Sequence, residues 1–539
     1  MSINRRVFAV IGSLLLAPAA GAQTLVYCYE ASPETFLPMQ AIGQSTFDVT
    51  IQMYNTLIEM ERGSTKLIPG VAESWTVSPD GMSYEFKLRR GVKFHANADF
   101  RPTREMNADD VLYTFRRMSD PDHPYAKVGG RGYGLYVGLG IDKLIKSIDK
   151  LDDYTIRITL TEARTAFMAL MSTGVFGVVS AEYHDKMLAA GKQDNPATNP
   201  IGTGPFEFVS YQKDATIRMR AFRDHWARSV PGMEDRTARV DNLVFSIVTD
   251  PTVRYQKTLA GECQIMRFPN PADIQAIRAN AQLRTSIIPG LDYGFLGYNV
   301  QKKPFDDKRV RQALSLAINK QAIRDLVFLD GIFGEPMGGA VPPGLLGYDE
   351  SIKPYPEDIE RAKRLLAEAG LPNGFKTTMW AMPVVRAYMP NARRTAELMQ
   401  ADLKRIGVEI EIVNVEWGEY LRRSQQGEHE IVILGWNYAY ADAGQILELG
   451  WSCEAARNGL NRSRWCNEEF DRAINRARVI TDEAERTQLY RQAQRVFYDE
   501  APALLIAYAS KVGITRMEVE NFKLVPAGPQ PLYGISVKR

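Results

Sequence analysis

Two short motifs in the sequence place a serine three residues before a lysine, as some serine acyl-enzymes do. They are Ser147 with Lys150, and Ser210 with Lys213. The chemistry needs the serine at the start of a helix, so that a lysine one turn away faces its hydroxyl. Ser210 instead lies in a strand pattern, and Ser147 lies in a charged stretch without a companion Ser-Asp-Asn or Lys-Thr-Gly motif. We therefore do not expect an acylating serine.

Other catalytic and metal-binding motifs are missing from the sequence. It contains no P-loop, no His-Glu-x-x-His and no Gly-x-Ser-x-Gly motif. It also lacks a Cys-x-x-Cys pair, and its five histidines are scattered: His95, His123, His184, His225 and His429. We expect a protein that is not an enzyme and that holds no metal ion and no cofactor.

Composition limits the class of protein further. The chain has 539 residues, of which 45% are hydrophobic and 24% are charged, as in an ordinary globular protein. This length exceeds what one hydrophobic core usually serves, so two or three packed units are expected, with clefts between them. Lysine and arginine number 66 against 64 aspartates and glutamates. The near balance gives no reason to expect a nucleic-acid partner.

The N-terminus has the three parts of a secretory signal peptide. Arg5 and Arg6 precede an apolar run over residues 7–17, and the segment ends in Ala20-Gly21-Ala22. The run is shorter than the ~20 residues that span a bilayer, which argues against the alternative of a membrane anchor. We predict cleavage after Ala22 and a mature protein free in solution outside the cytoplasm.

An exported chain can keep disulfide bonds, and the sequence has four cysteines: Cys28, Cys263, Cys453 and Cys466. Four cysteines allow three pairings. Cys453 and Cys466 are close in sequence and are expected to close a small loop, which would leave Cys28 with Cys263. Structural disulfides are favoured over zinc or a reactive thiol.

Strand and helix patterns alternate along the chain. Tyr84, Phe86 and Leu88 alternate with charged residues as in a half-buried strand, and Asn107 is placed to cap a helix that begins near Val111. Further strands are predicted over 206–209, 217–219, 377–380 and 408–413, and helices over 359–369 and 391–406, the last two ending at Gly370 and Gly407. These patterns predict two α/β lobes, the second with a largely parallel sheet.

A family resemblance rests on motifs spread over the whole mature chain. They include Tyr54-Asn-Thr-Leu57, Pro69-Gly-Val-Ala-Glu-Ser-Trp75, Asn199-Pro-Ile-Gly-Thr-Gly-Pro-Phe206, Tyr298-Asn-Val-Gln-Lys-Lys-Pro304, Val310-Arg-Gln-Ala-Leu314, Trp380-Ala-Met-Pro383 and Glu416-Trp-Gly-Glu-Tyr420. In this order they resemble the peptide-binding class of periplasmic substrate-binding proteins of ABC importers, and within it the dipeptide binders.

The resemblance implies the domain organisation. Lobe I is expected over 23–289, with an extra subdomain, and returns over 510–539; lobe II is expected over 290–509. A ligand would lie between the lobes and be enclosed by hinge closure, which it can drive only by binding the closed state better. The resemblance also supports the pairings Cys28 with Cys263 and Cys453 with Cys466.

It further implies that Arg386 binds the ligand carboxylate. In dipeptide binders an arginine in a stretch like Met382-Pro-Val-Val-Arg386-Ala-Tyr388 does so, and the planar guanidinium suits two parallel hydrogen bonds. A surface or interlobe salt bridge is the alternative for this arginine. Tyr388, Trp417 and Tyr420 are candidate cleft walls, with core packing as the alternative for Trp417.

The second anchor of dipeptide binders is altered. Their aspartate three residues after a Gly-Trp pair neutralises the peptide amine, and here that position, following Gly435 and Trp436, is Ala439. A buried ammonium without a carboxylate is costly, so free-amine dipeptides should bind poorly. Asp442 is the candidate substitute acid, and Tyr438 and Tyr440 are candidates to contact a less charged ligand. Alternatively, the loop has changed shape while the ligand class has not.

The sequence therefore predicts a periplasmic solute receptor, a monomer, that delivers a small peptide or peptide-like carboxylate to the membrane permease of an ABC importer. The ligand would not present a conventional α-amine near Ala439. A modified peptide, a γ-linked peptide such as glutathione and an opine-like compound fit that description. A carrier of haem or another large ligand, and a ligand-dependent sensory receptor, are the alternatives.

Overall fold

The computed structural model describes residues 22–41, 43–128, 132–233, 236–415 and 417–538. The predicted signal peptide therefore lies outside the described residues except for Ala22, and so does Glu416 of the family motifs. Within these ranges, no helix combines the length and the apolar character needed to cross a membrane.

The first half of the chain alternates helices and strands. The helices are α1 (Gln44–Thr50), α2 (Ala108–Ser119), α3 (Gly134–Gly138), α4 (Ile141–Leu144), α5 (Phe167–Met171), α6 (Ala181–Ala189), α7 (Pro251–Leu259) and α8 (Ile274–Ala279). The strands are β1 (Thr24–Tyr29), β2 (Ile58–Met60), β3 (Leu67–Pro69), β4 (Ala72–Val77), β5 (Ser83–Leu88), β6 (Ile145–Asp152), β7 (Thr155–Leu160), β8 (Phe206–Gln212), β9 (Thr216–Ala221), β10 (Asn242–Ile247) and β11 (Ile265–Arg267).

The second half continues the alternation. Its strands are β12 (Leu283–Tyr298), β13 (Gly334–Glu335), β14 (Lys376–Trp380), β15 (Glu409–Val413), β16 (Ile431–Trp436), β17 (Ala503–Arg516), β18 (Val519–Glu520) and β19 (Ser536–Val537). Its helices are α9 (Lys308–Ala317), α10 (Lys320–Leu326), α11 (Ile359–Glu368), α12 (Ala392–Lys404), α13 (Trp417–Gln425), α14 (Ala443–Trp451), α15 (Cys453–Asn458), α16 (Glu468–Ala477) and α17 (Glu483–Glu500).

Local sequence explains several of these boundaries. The predicted strand at Tyr84 is β5, in which Tyr84, Phe86 and Leu88 are buried. Asn107 caps α2 and forms a capping box with Asp110. The chain leaves α11 and α12 through Gly370 and Gly407, whose positive φ angles of 80° and 81° favour glycine.

One large sheet runs through both halves in the order β15-β14-β16-β12-β17-β11-β1-β10-β9-β8. β14 is parallel to β15 and β16, as predicted, but β12 pairs antiparallel with both β16 and β17. The second half is therefore mixed rather than largely parallel. A separate sheet has the order β4-β5-β7-β6. The extra subdomain of lobe I stays a prediction.

Two hydrophobic cores mark the two lobes. The first uses side chains from Leu25 to Ile265 and from Val519 to Ile535, and the second uses those from Leu291 to Ala509. β12 and β17 connect the cores, and their ladder is interrupted between Pro289 and Tyr293. The predicted boundaries at 289/290 and 509/510 fall inside these two strands and stay a prediction. Both predicted disulfides are present, Cys28 with Cys263 and Cys453 with Cys466.

The lobes also touch at a second place, which we call the interlobe contact. Glu162, Arg164 and Thr165 of lobe I meet Glu448, Ala477 and Arg478 of lobe II. The Thr165 amide donates to the Arg478 carbonyl at 2.8 Å, and Arg478 lies 3.7 Å from Glu162. This contact and the paired strands β12 and β17 hold the lobes against each other.

Candidate ligand-binding site

A cavity of about 460 Å³ lies between the lobes. This volume is within the usual range for small-molecule sites. Lobe I contributes Tyr54, Thr173 and other residues, lobe II contributes a loop after β14 and another after β16, and Lys511 of β17 lies at the junction. A more open depression of about 640 Å³ on lobe I is lined by that lobe alone, so lobe closure would not enclose a ligand there.

Arg386 lines the interlobe cavity from the loop that follows β14. Its side chain is exposed, its Nη1 donates to the Val385 carbonyl at 2.9 Å, and its guanidinium lies 5.3 Å from the centre of the Trp417 ring. Among the described residues, no carboxylate lies within ion-pairing distance of Arg386. The sequence alternative of a salt bridge is therefore not realised, and the guanidinium has free donors for a ligand anion.

Ala439 lines the same cavity in the loop between β16 and α14. Its amide donates to Gln445 Oε1 at 3.0 Å, and so does the amide of Tyr440 at 3.1 Å. These two bonds fix the backbone of the loop at Ala439.

Asp442 does not line the cavity. Its carboxylate caps α14 by accepting the Gly444 amide at 2.8 Å, forms an ion pair with Arg486, and accepts the Tyr490 hydroxyl at 3.2 Å. The charge is therefore already neutralised and the oxygens are occupied. This placement does not support the predicted role of Asp442 as a substitute partner for a ligand amine.

The three candidate tyrosines have different surroundings. Tyr438 lines the cavity, and its buried hydroxyl has no hydrogen-bond partner among the described residues. Tyr440 packs into the core of lobe I although it belongs to a loop of lobe II, so it joins the lobes. Tyr388 lies behind the wall against Gly435, and burial raises its pKa to about 12.

Trp417 and Tyr420 also lie outside the cavity lining. Tyr420 is fully buried, and its hydroxyl donates to the carbonyls of Trp380 and Ile433 at 3.1 and 2.6 Å. Trp417 stacks on Tyr420 at 5.6 Å and contacts Arg386. Trp417 thus packs between the Tyr420 ring and the Arg386 guanidinium.

The sequence reasoning missed an ion pair at the junction of the lobes. Asp292 of β12 and Lys511 of β17 line the cavity and lie 3.2 Å apart. Asp292 also accepts the Tyr438 amide at 3.0 Å, which ties the ligand-facing loop to the hinge strands. No motif marks either residue, because the pair forms only when two strands 219 positions apart are joined.

Charged residues of lobe I line the cavity as well, and the sequence reasoning missed these too. They are Glu30, Glu59 and Arg267. Glu59 is paired with Arg236. Arg267 is 4% exposed and ends strand β11. An arginine within the otherwise apolar stretch from Ile265 to Phe268 was the one signal in the sequence that could have indicated it.

Comparison with known proteins identifies the fold and the class. The family model for bacterial extracellular solute-binding proteins, family 5 Middle, matches residues 66–458. The chain belongs to this solute-binding family. It is 43% identical over 527 residues to the dipeptide-binding protein of Escherichia coli (strain K12), covering 98% of this chain and 97% of that protein.

Two further proteins are similar to almost the whole chain. Heme-binding protein A of Haemophilus influenzae (strain ATCC 51907 / DSM 11121 / KW20 / Rd) is 39% identical over 522 residues, covering 97% of this chain and 93% of that protein. The solved structure of HbpA2 from Haemophilus parasuis is 37% identical, with a TM-score of 0.91, and covers 96% of this chain and 100% of that chain.

The family membership confirms the two-lobed, mixed α/β architecture expected of a periplasmic binding protein. It also confirms a solute-binding role in ABC import. The two Ser-x-x-Lys motifs fit this conclusion. Ser147 and Lys150 lie on β6, and Ser210 lies on β8, so neither serine begins a helix.

Proposed function

We propose that this protein is an exported receptor that captures a short peptide-like carboxylate and delivers it to the permease of an ABC importer. The observation that carries the proposal is Arg386, whose guanidinium faces the interlobe cavity without a carboxylate partner among the described residues. Trp417 supports it, and cavity volume fits a small ligand. The relative named dipeptide-binding protein supports the same class of ligand.

The ligand is expected to lack a conventional α-amine near Ala439. Ala439 offers no charge, Asp442 is committed to Arg486, and Asp292 is paired with Lys511. An ammonium group buried beside these residues would lose its hydration without gaining a carboxylate. A peptide with a modified N-terminus, a γ-linked peptide such as glutathione and an opine-like compound meet this requirement.

Calorimetry with alanyl-alanine and N-acetyl-alanyl-alanine tests the proposal. The acetylated peptide should bind at least as tightly as the free peptide, because it carries the carboxylate but no ammonium. A strong preference for the free amine would contradict the assignment at Ala439, and binding of neither peptide would contradict the ligand class. Mass spectrometry of material released by denaturing the freshly purified protein would identify the natural cargo directly.

Transfer to a permease follows from the family role and requires no chemical step in the receptor. We propose that the protein acts as a monomer, that it is released outside the cytoplasm by cleavage after Ala22, and that it uses no metal or cofactor. Co-purification with transmembrane permease subunits would support this role, whereas co-purification with a chemoreceptor would favour the sensory alternative.

Haem transport is the second candidate, because one relative is named heme-binding protein A. The cavity lining speaks against it. No histidine is among the described residues that line the cavity, and His95, His184, His225 and His429 are buried elsewhere. A histidine nitrogen is a common haem ligand. Titration with haem should give no Soret band of a protein-bound iron; a saturable band would favour the haem carrier.

A further inference from the structure

The interlobe cavity contains a second arginine that its surroundings do not satisfy. Arg267 ends β11 in lobe I and lines the cavity, although its side chain is almost completely buried. Its Nε and Nη1 atoms are buried and donate no hydrogen bond of normal geometry to any described residue, although the Tyr27 hydroxyl is close enough to raise the pKa of Arg267. Buried guanidinium donors are normally paired, so unpaired donors on an arginine that lines a cavity require an explanation.

The nearby carboxylate of Asp48 does not explain it. Asp48 lies 3.6 Å from Arg267, which is beyond a normal hydrogen bond for this pair. Its oxygens already accept from the Tyr29 hydroxyl at 2.6 Å, from Gln44 Nε2 at 3.0 Å and from the Gln530 amide at 2.6 Å. The ion pair of Asp48 with Nη1 thus balances the charge of Arg267 without a hydrogen bond of normal length.

Glu30 does not occupy those donors either. It lines the same cavity, but no hydrogen bond or ion pair joins it to Arg267 in the described part of the chain. Burial raises the pKa of Glu30, while Arg254 and Arg267 lower it. The two side chains therefore share the lobe I wall without forming a closed pair.

The backbone beside Arg267 is held in an unusual conformation. Phe268 also lines the cavity and has a φ angle of 54°, in the left-handed region that side chains other than glycine rarely adopt. Arg254 donates from Nη2 to the Phe268 carbonyl at 2.7 Å, which helps to hold this turn. Such outliers occur where a site requires a particular orientation of side chains.

We propose that Arg267 binds a second acidic group of the ligand, so that the cargo is held between Arg386 of lobe II and Arg267 of lobe I. This inference rests on the proposed function. It narrows the ligand class to compounds with two anionic groups, one at each end, such as a peptide-like dicarboxylate. The Nη2 atom of Arg267, which is not among the buried atoms named above and has no hydrogen-bond partner among the described residues, would donate to that group when the lobes close.

Two matched probes test this proposal: glutaryl-alanine and pentanoyl-alanine. They have the same chain length and the same alanine carboxylate for Arg386, and neither has an amine. They differ only in the distal group, which is a carboxylate in one and a methyl group in the other. Calorimetry should give glutaryl-alanine about tenfold tighter binding or more, as expected for charge-assisted hydrogen bonds.

Variants test whether Arg267 causes the preference for glutaryl-alanine over pentanoyl-alanine. Arg267→Gln should bring the affinity ratio of the two probes close to one, and Arg267→Lys should reduce it. Arg386→Gln should weaken both probes alike and keep the ratio. Arg117→Gln is the matched control, because Arg117 is also buried with unpaired Nη1 and Nη2 atoms but does not line the cavity; it should leave the ratio unchanged.

Equal affinities of the two probes for the unmodified protein would overturn the proposal, and this measurement needs no variant to fold. A ratio that persists in Arg267→Gln or Arg267→Lys would overturn it as well. If both probes bind through Arg386 but glutaryl-alanine gains nothing from its distal carboxylate, only the second subsite fails. If neither probe binds, and the two alanyl-alanine peptides do not bind either, the proposed function fails with it.

Discussion

The Arg164 guanidinium of lobe I lies 3.9 Å from the Glu448 carboxylate of lobe II, so this ion pair spans the interlobe contact. Burial raises the pKa of Glu448 to about 7, although Arg164 and Arg478 lower it. Asp442 raises this pKa further and Arg486 lowers it. The net shift shows that the positive neighbours do not fully compensate for the lost hydration of the carboxylate.

Closure is therefore predicted to take up a proton at Glu448. When the lobes separate, water reaches the carboxyl group and its pKa returns towards 4.5, whereas in the closed state it is about 7. The contribution to closure is fully present below the lower pKa and is lost as the pH rises through the higher one. Ligand affinity, measured by calorimetry, should fall as the pH rises from about 4.5 to about 7 and level off above that. Glu448→Gln should flatten the profile.

Four of the five histidines should not affect this measurement, and the fifth, His123, whose pKa is also lowered by burial, is not part of the interlobe contact. Burial lowers the pKa of His95 to about 4 and the pKa values of His184, His225 and His429 to about 3. These four side chains stay neutral over the range in which Glu448 titrates. A pH profile that is equally steep in Glu448→Gln would show that another group takes up the proton.

Tyr440 should stabilise the closed state without being needed for either lobe to fold. Its ring leaves the loop after β16 and packs into the core of lobe I, so separating the lobes exposes it. Because burial of an aromatic ring is strongly favourable, Tyr440→Ala should weaken ligand binding at least about tenfold. Tyr348→Ala, at an exposed tyrosine of lobe II, is the matched control. Equal Kd values for Tyr440→Ala and the unmodified protein would contradict this role.

Removing the guanidinium of Arg386 should abolish most of the affinity for carboxylate ligands. Loss of one partner of an enclosed charge pair costs about 2–5 kcal/mol, which is about 30-fold or more in Kd. Arg386→Gln should show this loss in calorimetry, and Arg386→Lys should recover part of it. Arg394→Gln, at an exposed arginine of the same lobe near Glu397, should bind as the unmodified protein does. Similar losses in both glutamine variants would indicate a non-specific effect of charge.

Local sequence predicted α11, β14, α12 and β15 of lobe II, whereas Arg386 was implied by the family resemblance. The helices that end at Gly370 and Gly407 and the strands between them depend on patterns within a few residues, which a single sequence displays. Arg386 was found through a motif of neighbouring residues. For such features, the local pattern and the tertiary structure agree.

Contacts between distant segments could not be predicted in the same way. Arg267 meets Asp48 across 219 positions, and Tyr440 enters a core built mainly from residues before Ile265 and after Val519. Asp442 was expected in the cavity because it is close to Ala439 in sequence, but Arg486 and the start of α14 turn its carboxylate away. Side-chain direction within a loop depends on partners that local sequence does not reveal.

Replacing Ala439 by aspartate should create a preference for free-amine peptides. The position lines the cavity, and Gln445 fixes the backbone on either side of it, so a carboxylate introduced there faces the ligand. Ala439→Asp should bind alanyl-alanine about tenfold or more tightly than the N-acetylated peptide, because the new charge pairs with the ammonium group. Ala439→Asn has the same shape without the charge and should show no such preference. Calorimetry with both peptides distinguishes the two variants. An unchanged order of affinities in Ala439→Asp would mean that the amine of the ligand lies elsewhere in the cavity. Glu30 would then be the acid that remains to bind it.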